Sequence, residues 1–328
     1  MSGSTCLVTG GAGFIGSHIV RHLLGRGHAV RVVDNFATGS RENLAEVAAD
    51  VDVIEGDLVD PDVCARAVAG VDVVFHLAAL GSVPRSMRDP WGSHQANVNA
   101  TVRLLEASRA AGVRRLVFSS SSSVYGDTPV LPKIETLEPL PRSPYAASKL
   151  SGEQYVLAYA RAGMLEGVAL RYFNVFGPRQ SPAGPYAAII PLLLRAAYLG
   201  EGATLFGDGE QTRDFTYVDN VVQANLLAAF GPTERVNGVV ANAGAGGRTS
   251  LLQLVRMLEQ VSGRTIAVSH AAPRPGDVRD SLASLERAEA TLGYAPAVSV
   301  EDGLARTWAW WVDEGARRFL PAVATTAG

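Results

Sequence analysis

TCLVTGGAGFIG, residues 5–16, decides how the first half of this chain folds. Residues 5–9 are a short apolar, β-branched run suited to a buried strand. From Phe14 to about Leu24 the apolar positions recur at helical spacing. Between the two lie Gly10, Gly13 and Gly16, in the pattern G-x-x-G-x-x-G. Missing side chains there permit a tight turn, close approach of backbone to a pyrophosphate, and close packing of helix on strand. The N–H groups and dipole at the helix start then favour bound phosphate. Phe14 and Ile15 sit at that start and are expected to border the cofactor. A second apolar run, 29–33, leads into Asp34, 18 residues beyond Gly16. A carboxylate at that distance can accept hydrogen bonds from a ribose diol and repels a 2′-phosphate, so the unit predicts NAD over NADP. Asp34 also opens a polar loop, Asp34-Asn35-Phe36-Ala37-Thr38-Gly39, and loop chemistry is its alternative role. Asp57 fits an adenine contact or a plain turn.

Outward from this unit, further strand candidates fall at 52–54, 71–77 and 115–119. Helix-period segments fall at 43–49, 63–69 and about 91–111. Strand–helix alternation predicts an α/β fold, a doubly wound parallel sheet with helices on both faces. The run VDVVFHL at 71–77 alternates little, as expected of a strand covered on both sides. After about residue 174, Gly and Pro punctuate the chain. We therefore expect residues 1–174 to form the dinucleotide-binding domain. Residues 175–328 should form mainly a smaller substrate-binding lobe, partly interleaved with the sheet.

Strand 115–119 runs into five serines, 119–123, and Ser143-Pro144-Tyr145-Ala146-Ala147-Ser148-Lys149 follows twenty residues later. Ser143 suits an N-cap and Pro144 a first helical turn, so Tyr145 and Lys149 share one helix face. A phenol needs about 4 kcal/mol of differential stabilisation to lose ~3 pKa units, and a neighbouring ammonium and a cationic nicotinamide both act in that direction. Only Lys133 and Lys149 are lysines among 29 basic residues. Arginine cannot tune its proton as lysine can, which makes a lysine at this spacing meaningful.

Composition narrows the remaining options. The chain has 328 residues, a net charge of −3 and a pI near 6.1, unlike a nucleic-acid binder. Two cysteines, Cys6 and Cys64, cannot make a disulfide scaffold and point to a reducing, cytoplasmic compartment. Neither a signal peptide nor a membrane-spanning segment is expected. His18 and His22 have i, i+4 spacing but no evident third ligand, so no metal is expected.

These residues together resemble the extended short-chain dehydrogenase/reductase superfamily, over about residues 6–311. Within it they are most similar to NAD-dependent UDP-sugar 4-epimerases, especially the UDP-N-acetylglucosamine 4-epimerases. The matching stretches are LGSVPRSMRDP (80–90), SSSSSVYGD (119–127), SPYAASKL (143–150), RYFNVFGPRQ (171–180), PYAAIIP (185–191), GDGEQTRDFTYVDN (207–220) and RPGDVRDSLA (274–283). The resemblance implies a Rossmann fold, Ser121 as catalytic serine, Tyr145 as base and Lys149 as its support. Similar 4,6-dehydratases carry an Asp–Glu pair where this chain has Ser122 and Ser123, so epimerisation is implied rather than dehydration. The implied cofactor set also includes Asn35, Leu58, Leu77, Ala78, Ala79 and Asn97.

On the substrate side, Asn174 would hold the sugar or diphosphate, and Arg213 and Arg274 the diphosphate. Asp277 would meet the ribose and Phe206 the uracil. Arg213 could equally pair with Asp214, and Phe206 could be core. Gly81, Ser82, Ser122, Ser123, Asn174 and Ala188 would surround the sugar. Ser281 occupies a gate behind its C2 substituent, where serine leaves room for an N-acetyl group and tyrosine would not. UDP-GlcNAc/UDP-GalNAc are the implied substrates, with UDP-Glc/UDP-Gal as a further pair. UDP-glucuronate epimerisation, decarboxylation, reduction and non-catalytic binding are the alternatives. Similar proteins are homodimers joined through the segment at about 89–111 and the helix beginning at Tyr145.

Overall fold

Seven short apolar runs pair side by side in the computed structural model, which describes residues 3–183, 187–272 and 278–320. They are β1 (Thr5–Thr9), β2 (Ala29–Asp34), β3 (Val51–Glu55), β4 (Val73–His76), β5 (Arg115–Ser121), β6 (Glu166–Tyr172) and a last strand, Val240–Ala243. All neighbours are parallel, with β1 flanked by β2 then β3 on one side. On the other side follow β4, β5, β6 and Val240–Ala243. Strand order reverses between β1 and β4, and the crevice beyond their carboxyl ends is where such sheets bind ligands. Leu7, Val8, Val73, Val74, Phe75, Leu116 and Val117 are completely buried, as two-sided coverage requires. Each contributes roughly 1.5–3 kcal/mol relative to exposure.

The covering helices carry their own start signals. Helix α1 (Phe14–Leu24) begins at Gly13, and α2 (Pro61–Val68) is capped by Asp60, which accepts from the Asp62 N–H at 2.9 Å. Ser82 caps α3 (Val83–Arg88), and Asp89 caps α4 (Pro90–His94). The expected helix over 91–111 is continuous but not uniform. A π turn at Gln95–Asn99 separates α4 from α5 (Ala100–Ala110). The helix expected at 43–49 is instead a 3₁₀ segment, Arg41–Val47, held at its start by Ser40. Helix α6 (Pro144–Arg161) starts as its sequence predicts, with Ser143 accepting from the Ala146 N–H at 3.1 Å.

The second half shares the sheet. Helix α7 (Ile189–Leu199) packs in a separate cluster with Leu205, Leu254, Leu258 and Trp311. Helix α8 (Val218–Phe230), by contrast, buries Val221, Val222 and Leu226 in the cluster of Ile19, Val20 and Leu23 on α1. The fully buried Arg115 ties α8 to β5 by donating to the carbonyls of Ala228, Ala229 and Gly231 at 3.1, 3.0 and 2.8 Å. Those carbonyls are the unpaired ones at a helix C-terminus, where a cation is favoured. Glu166 balances its charge at 2.7 Å.

Candidate active site

A cleft of about 930 Å³ opens at the strand-order reversal. Gly10 has φ 66°, and a Cβ there would lie 2.8 Å from the Ala78 nitrogen. A Cβ on Gly16 would lie 2.2 Å from the Gly10 carbonyl oxygen. Both positions therefore demand glycine, and the chain passes from β1 into α1 close against the end of β4. Asp34 closes β2 with one oxygen accepting from the Ala12 N–H (2.9 Å) and the other from the Phe36 N–H (2.8 Å). Burial pushes this carboxyl up, and those two N–H groups oppose the rise. Each oxygen keeps a lone pair for a further donor. Asp57 takes the turn role: it accepts from the Val59 N–H (3.0 Å) and also receives Asn35 Nδ2 (2.9 Å), and it lines the cleft. The glycine cradle, the helix start and the carboxylate with spare acceptor capacity fit NAD.

Beyond β4, Thr9 and His76 fix the next wall. Thr9 Oγ1 accepts from the Leu77 and Ala78 N–H groups, both at 3.1 Å, so its proton goes to His76 Nδ1 at 2.7 Å. Thr101 donates to the Asn97 carbonyl (2.6 Å) and accepts from His76 Nε2 (2.9 Å). Burial, aided by the Lys149 charge, depresses His76 to about 3, so it is a neutral strut. Asn97 itself does not line the cleft. Its side chain accepts from the Leu80 N–H (2.8 Å) and donates to Ser148 Oγ (2.9 Å), locking the Leu80 loop onto α6.

Ser121 ends β5 beside α6. Its Oγ accepts from the Ser123 N–H (3.2 Å) and hydroxyl (2.9 Å), which leaves its own proton for the Tyr145 oxygen it bonds. Burial raises the Tyr145 phenol and the Ser121 bond opposes that rise. The downward shift expected from Lys149 is therefore not set by the protein alone. The Lys149 ammonium is aimed at β5, donating to the Ser119 carbonyl at 2.8 Å and lying 5.2 Å from the Phe118 ring centre. Burial depresses it to about 8. Beneath, Glu153 accepts from Ser120 Oγ (2.7 Å) and from Arg171 (2.6 and 3.0 Å), a fully buried ion pair fastened to the residue preceding Ser121.

The substrate side is built from segments distant in sequence. Gly81, Ser82, Ser122, Ser123, Asn174, Arg213 and Ser281 line the main cleft. Ala188 and Phe206 line an adjoining cavity of about 490 Å³ that shares Gly81, Asn174 and Arg213 with it. Asn174 has φ 24°, an unusual backbone for a non-glycine residue, and donates to the Asp214 carbonyl at 3.3 Å. The Asp214 carboxylate is spent on the N–H groups of Ala245, Gly246 and Ala283 at 2.8–3.0 Å, clamping three loops together. Arg274 and Asp277 lie outside the described residues.

Residues 6–244 match the Epimerase family model, the NAD dependent epimerase/dehydratase family. The chain belongs to this family. A UDP-glucose 4-epimerase from Mycolicibacterium smegmatis is 41% identical over 305 residues, spanning 92% of this chain and 96% of that one. Among solved structures, a UDP-N-acetylglucosamine 4-epimerase from Methanobrevibacter ruminantium, in complex with UDP-N-acetylmuramic acid, has a TM-score of 0.90 at 39% identity. The match covers 95% of this chain and 99% of that one. The UDP-glucose 4-epimerase of Thermus thermophilus, in complex with NAD, has a TM-score of 0.87 at 38% identity, covering 94% and 99%.

In this NAD-dependent epimerase/dehydratase fold, two groups escaped the sequence reading. The Glu153–Arg171 pair is separated by 18 residues and meets only because β5 and β6 are neighbours under α6. Lys133, noticed only as one of two lysines, is buried in the cleft wall. The scarcity of lysine was the signal that could have found it.

Proposed function

We propose that the protein 4-epimerises a UDP-hexose with retained NAD, taking UDP-GlcNAc/UDP-GalNAc and also UDP-Glc/UDP-Gal. The observation that carries this reading is that Ser121, Tyr145 and Lys149 line the same cleft as the glycine cradle. Gly10, Gly13, Phe14, Ile15, Gly16, Asp34, Asn35, Asp57, Leu58, Leu77, Ala78 and Ala79 would hold NAD, all of them in the cleft wall. NAD, when bound, would supply a reversible hydride acceptor for C4 of the hexose.

Tyr145 takes the proton of the sugar's 4-hydroxyl and later gives it back, with Ser121 sharing it. Lys149, at about 8, is mostly charged at neutral pH and stabilises the phenolate in a site shielded from water. Asn174 and Arg213, with Arg274, grip the diphosphate and leave the hexose free to turn over as a 4-keto intermediate. Ser122 and Ser123 offer no carboxyl pair to expel water from the sugar. Ser281 leaves room behind C2. On this reading residues 1–174 bind NAD and residues 175–328 mainly bind substrate.

Exposed Trp91 on α4 and Tyr155 on α6, at 66% and 44%, support a homodimer through these two helices. Sedimentation at micromolar concentration checks it. Cys6 and Cys64 are buried and unpaired, in keeping with a cytoplasmic setting. The deciding experiment incubates the protein, without added cofactor, with UDP-GlcNAc and separately with UDP-Glc, and resolves products by NMR. Formation of the C4 epimers is expected. No reaction with either, even with NAD added, would overturn the assignment.

A further inference from the structure

The composition that marks Lys149 also marks Lys133, the other lysine in a chain whose remaining basic residues are all arginine. Lys133 is 2% exposed and lines the main cleft. Its backbone is clamped against the segment just beyond Ser281. The Lys133 N–H donates to the Leu282 carbonyl (2.7 Å), and its own carbonyl accepts from the Ser284 N–H (2.9 Å). Lys133 thus lines the cleft beside the segment that carries Ser281.

An ammonium has three donors. Among the described residues Lys133 Nζ has one acceptor, the neutral carbonyl of Thr128. The two carboxylates that act on it through space are already engaged. Asp127 holds Arg142 at 3.1 Å, and Asp280 holds Thr212 Oγ1 at 2.5 Å and Arg248 at 3.2 Å. Burial pulls the Lys133 ammonium below the ordinary lysine value, as expected of a charge with no direct counter-ion among the described residues. A loop strut needs only the one bond to Thr128, which a neutral donor could make. A desolvated cation in a ligand cleft is matched best by an anion.

We propose that Lys133 is a substrate-binding residue whose ammonium takes a carboxylate carried on the hexose, making acid sugars a substrate class of this site. This rests on the nucleotide-sugar reading of the cleft. The carboxylate could be at C6, as in a uronic acid, or on a lactyl ether at C3, and the two are separable by experiment.

The test measures calorimetric affinities of the NAD-loaded wild type and Lys133→Met for four ligands: UDP, UDP-glucose, UDP-glucuronic acid and UDP-N-acetylmuramic acid. Loss of a charge-assisted bond should weaken one acid sugar by roughly ten- to a hundredfold, with UDP and UDP-glucose changed by less than about threefold. Selective loss for UDP-glucuronic acid places the carboxylate at C6, and for UDP-N-acetylmuramic acid at the C3 ether. Equal weakening of all four ligands, or no change in any, overturns the role of Lys133. Failure of the wild type to bind UDP and UDP-glucose removes the nucleotide-sugar reading and the Lys133 assignment with it. Lys133→Gln keeps a donor for Thr128 and carries the same comparison if the methionine variant does not fold.

Discussion

Lys149→Met should make the cofactor-free protein more stable while abolishing its activity. The wild type must bury an ammonium against the Ser119 carbonyl and hydroxyl and the Phe118 ring, with no carboxylate bonded to it among the described residues, and burial lowers its pKa from 10.5 to about 8. At ~1.4 kcal/mol per pKa unit, that fall corresponds to a penalty of about 3 kcal/mol when the group is charged. The sign follows from proton counting. Between pH 8 and 10.5 the unfolded chain holds this proton and the folded one does not, so stability rises with pH across that window. Below pH 8 the whole penalty is present. Methionine fills a similar volume without the charge, so the variant should exceed the wild type by up to about 3 kcal/mol at pH 7, with the gap closing towards pH 10.5. Urea unfolding of both NAD-stripped proteins at pH 7, 8, 9 and 10 measures it, because other alkaline titrations cancel in the difference. A gap that is constant with pH, or a wild type more stable at pH 7, would refute the reasoning.

Tyr145→Phe should still bind NAD, read by fluorescence titration, yet lose epimerisation at least ~100-fold; near-normal turnover would remove Tyr145 from the proton transfer. Ser281→Tyr should depress turnover of N-acetylated sugars selectively, because the side chain is in the cleft wall and buried; equal loss on UDP-Glc would discard the gate. Arg171→Met strands the buried Glu153 carboxylate with Ser120 alone and should cost ~3–5 kcal/mol in urea unfolding. Adding Glu153→Leu should recover most of that loss, and a double variant as unstable as the single would show that the pair is not what the strand end leans on.

Strand positions were legible wherever pairing and hydrophobicity coincide. The run at 5–9 is β1 as read, and 29–33 extends one residue, to Asp34. At 115–119 the sequence stops short, because Ser120 and Ser121 carry no apolar signal. They are strand because their backbones pair with Arg171 and Tyr172. Val240–Ala243 went unread for the same reason: four residues offer too little periodicity, and only β6 makes them a strand. The π turn at Gln95–Asn99 is equally silent in the spacing, since Asn97 is held by Leu80 and Ser148 from other segments.

Local spacing was enough for the glycine cradle, for Asp34, and for Tyr145 and Lys149 on one helix face, since each depends on distances fixed within a few residues or one β–α–β unit. The charges of those groups were not readable. Burial raises the Tyr145 phenol and lowers the Lys149 ammonium, and burial is set by whatever packs nearby from anywhere in the chain. The same holds for Lys133, carried to the gate by pairing with a segment about 150 residues away. Sequence determined which chemical groups are present and in what local order; the tertiary structure decided which of them lose their water, and therefore what each one does.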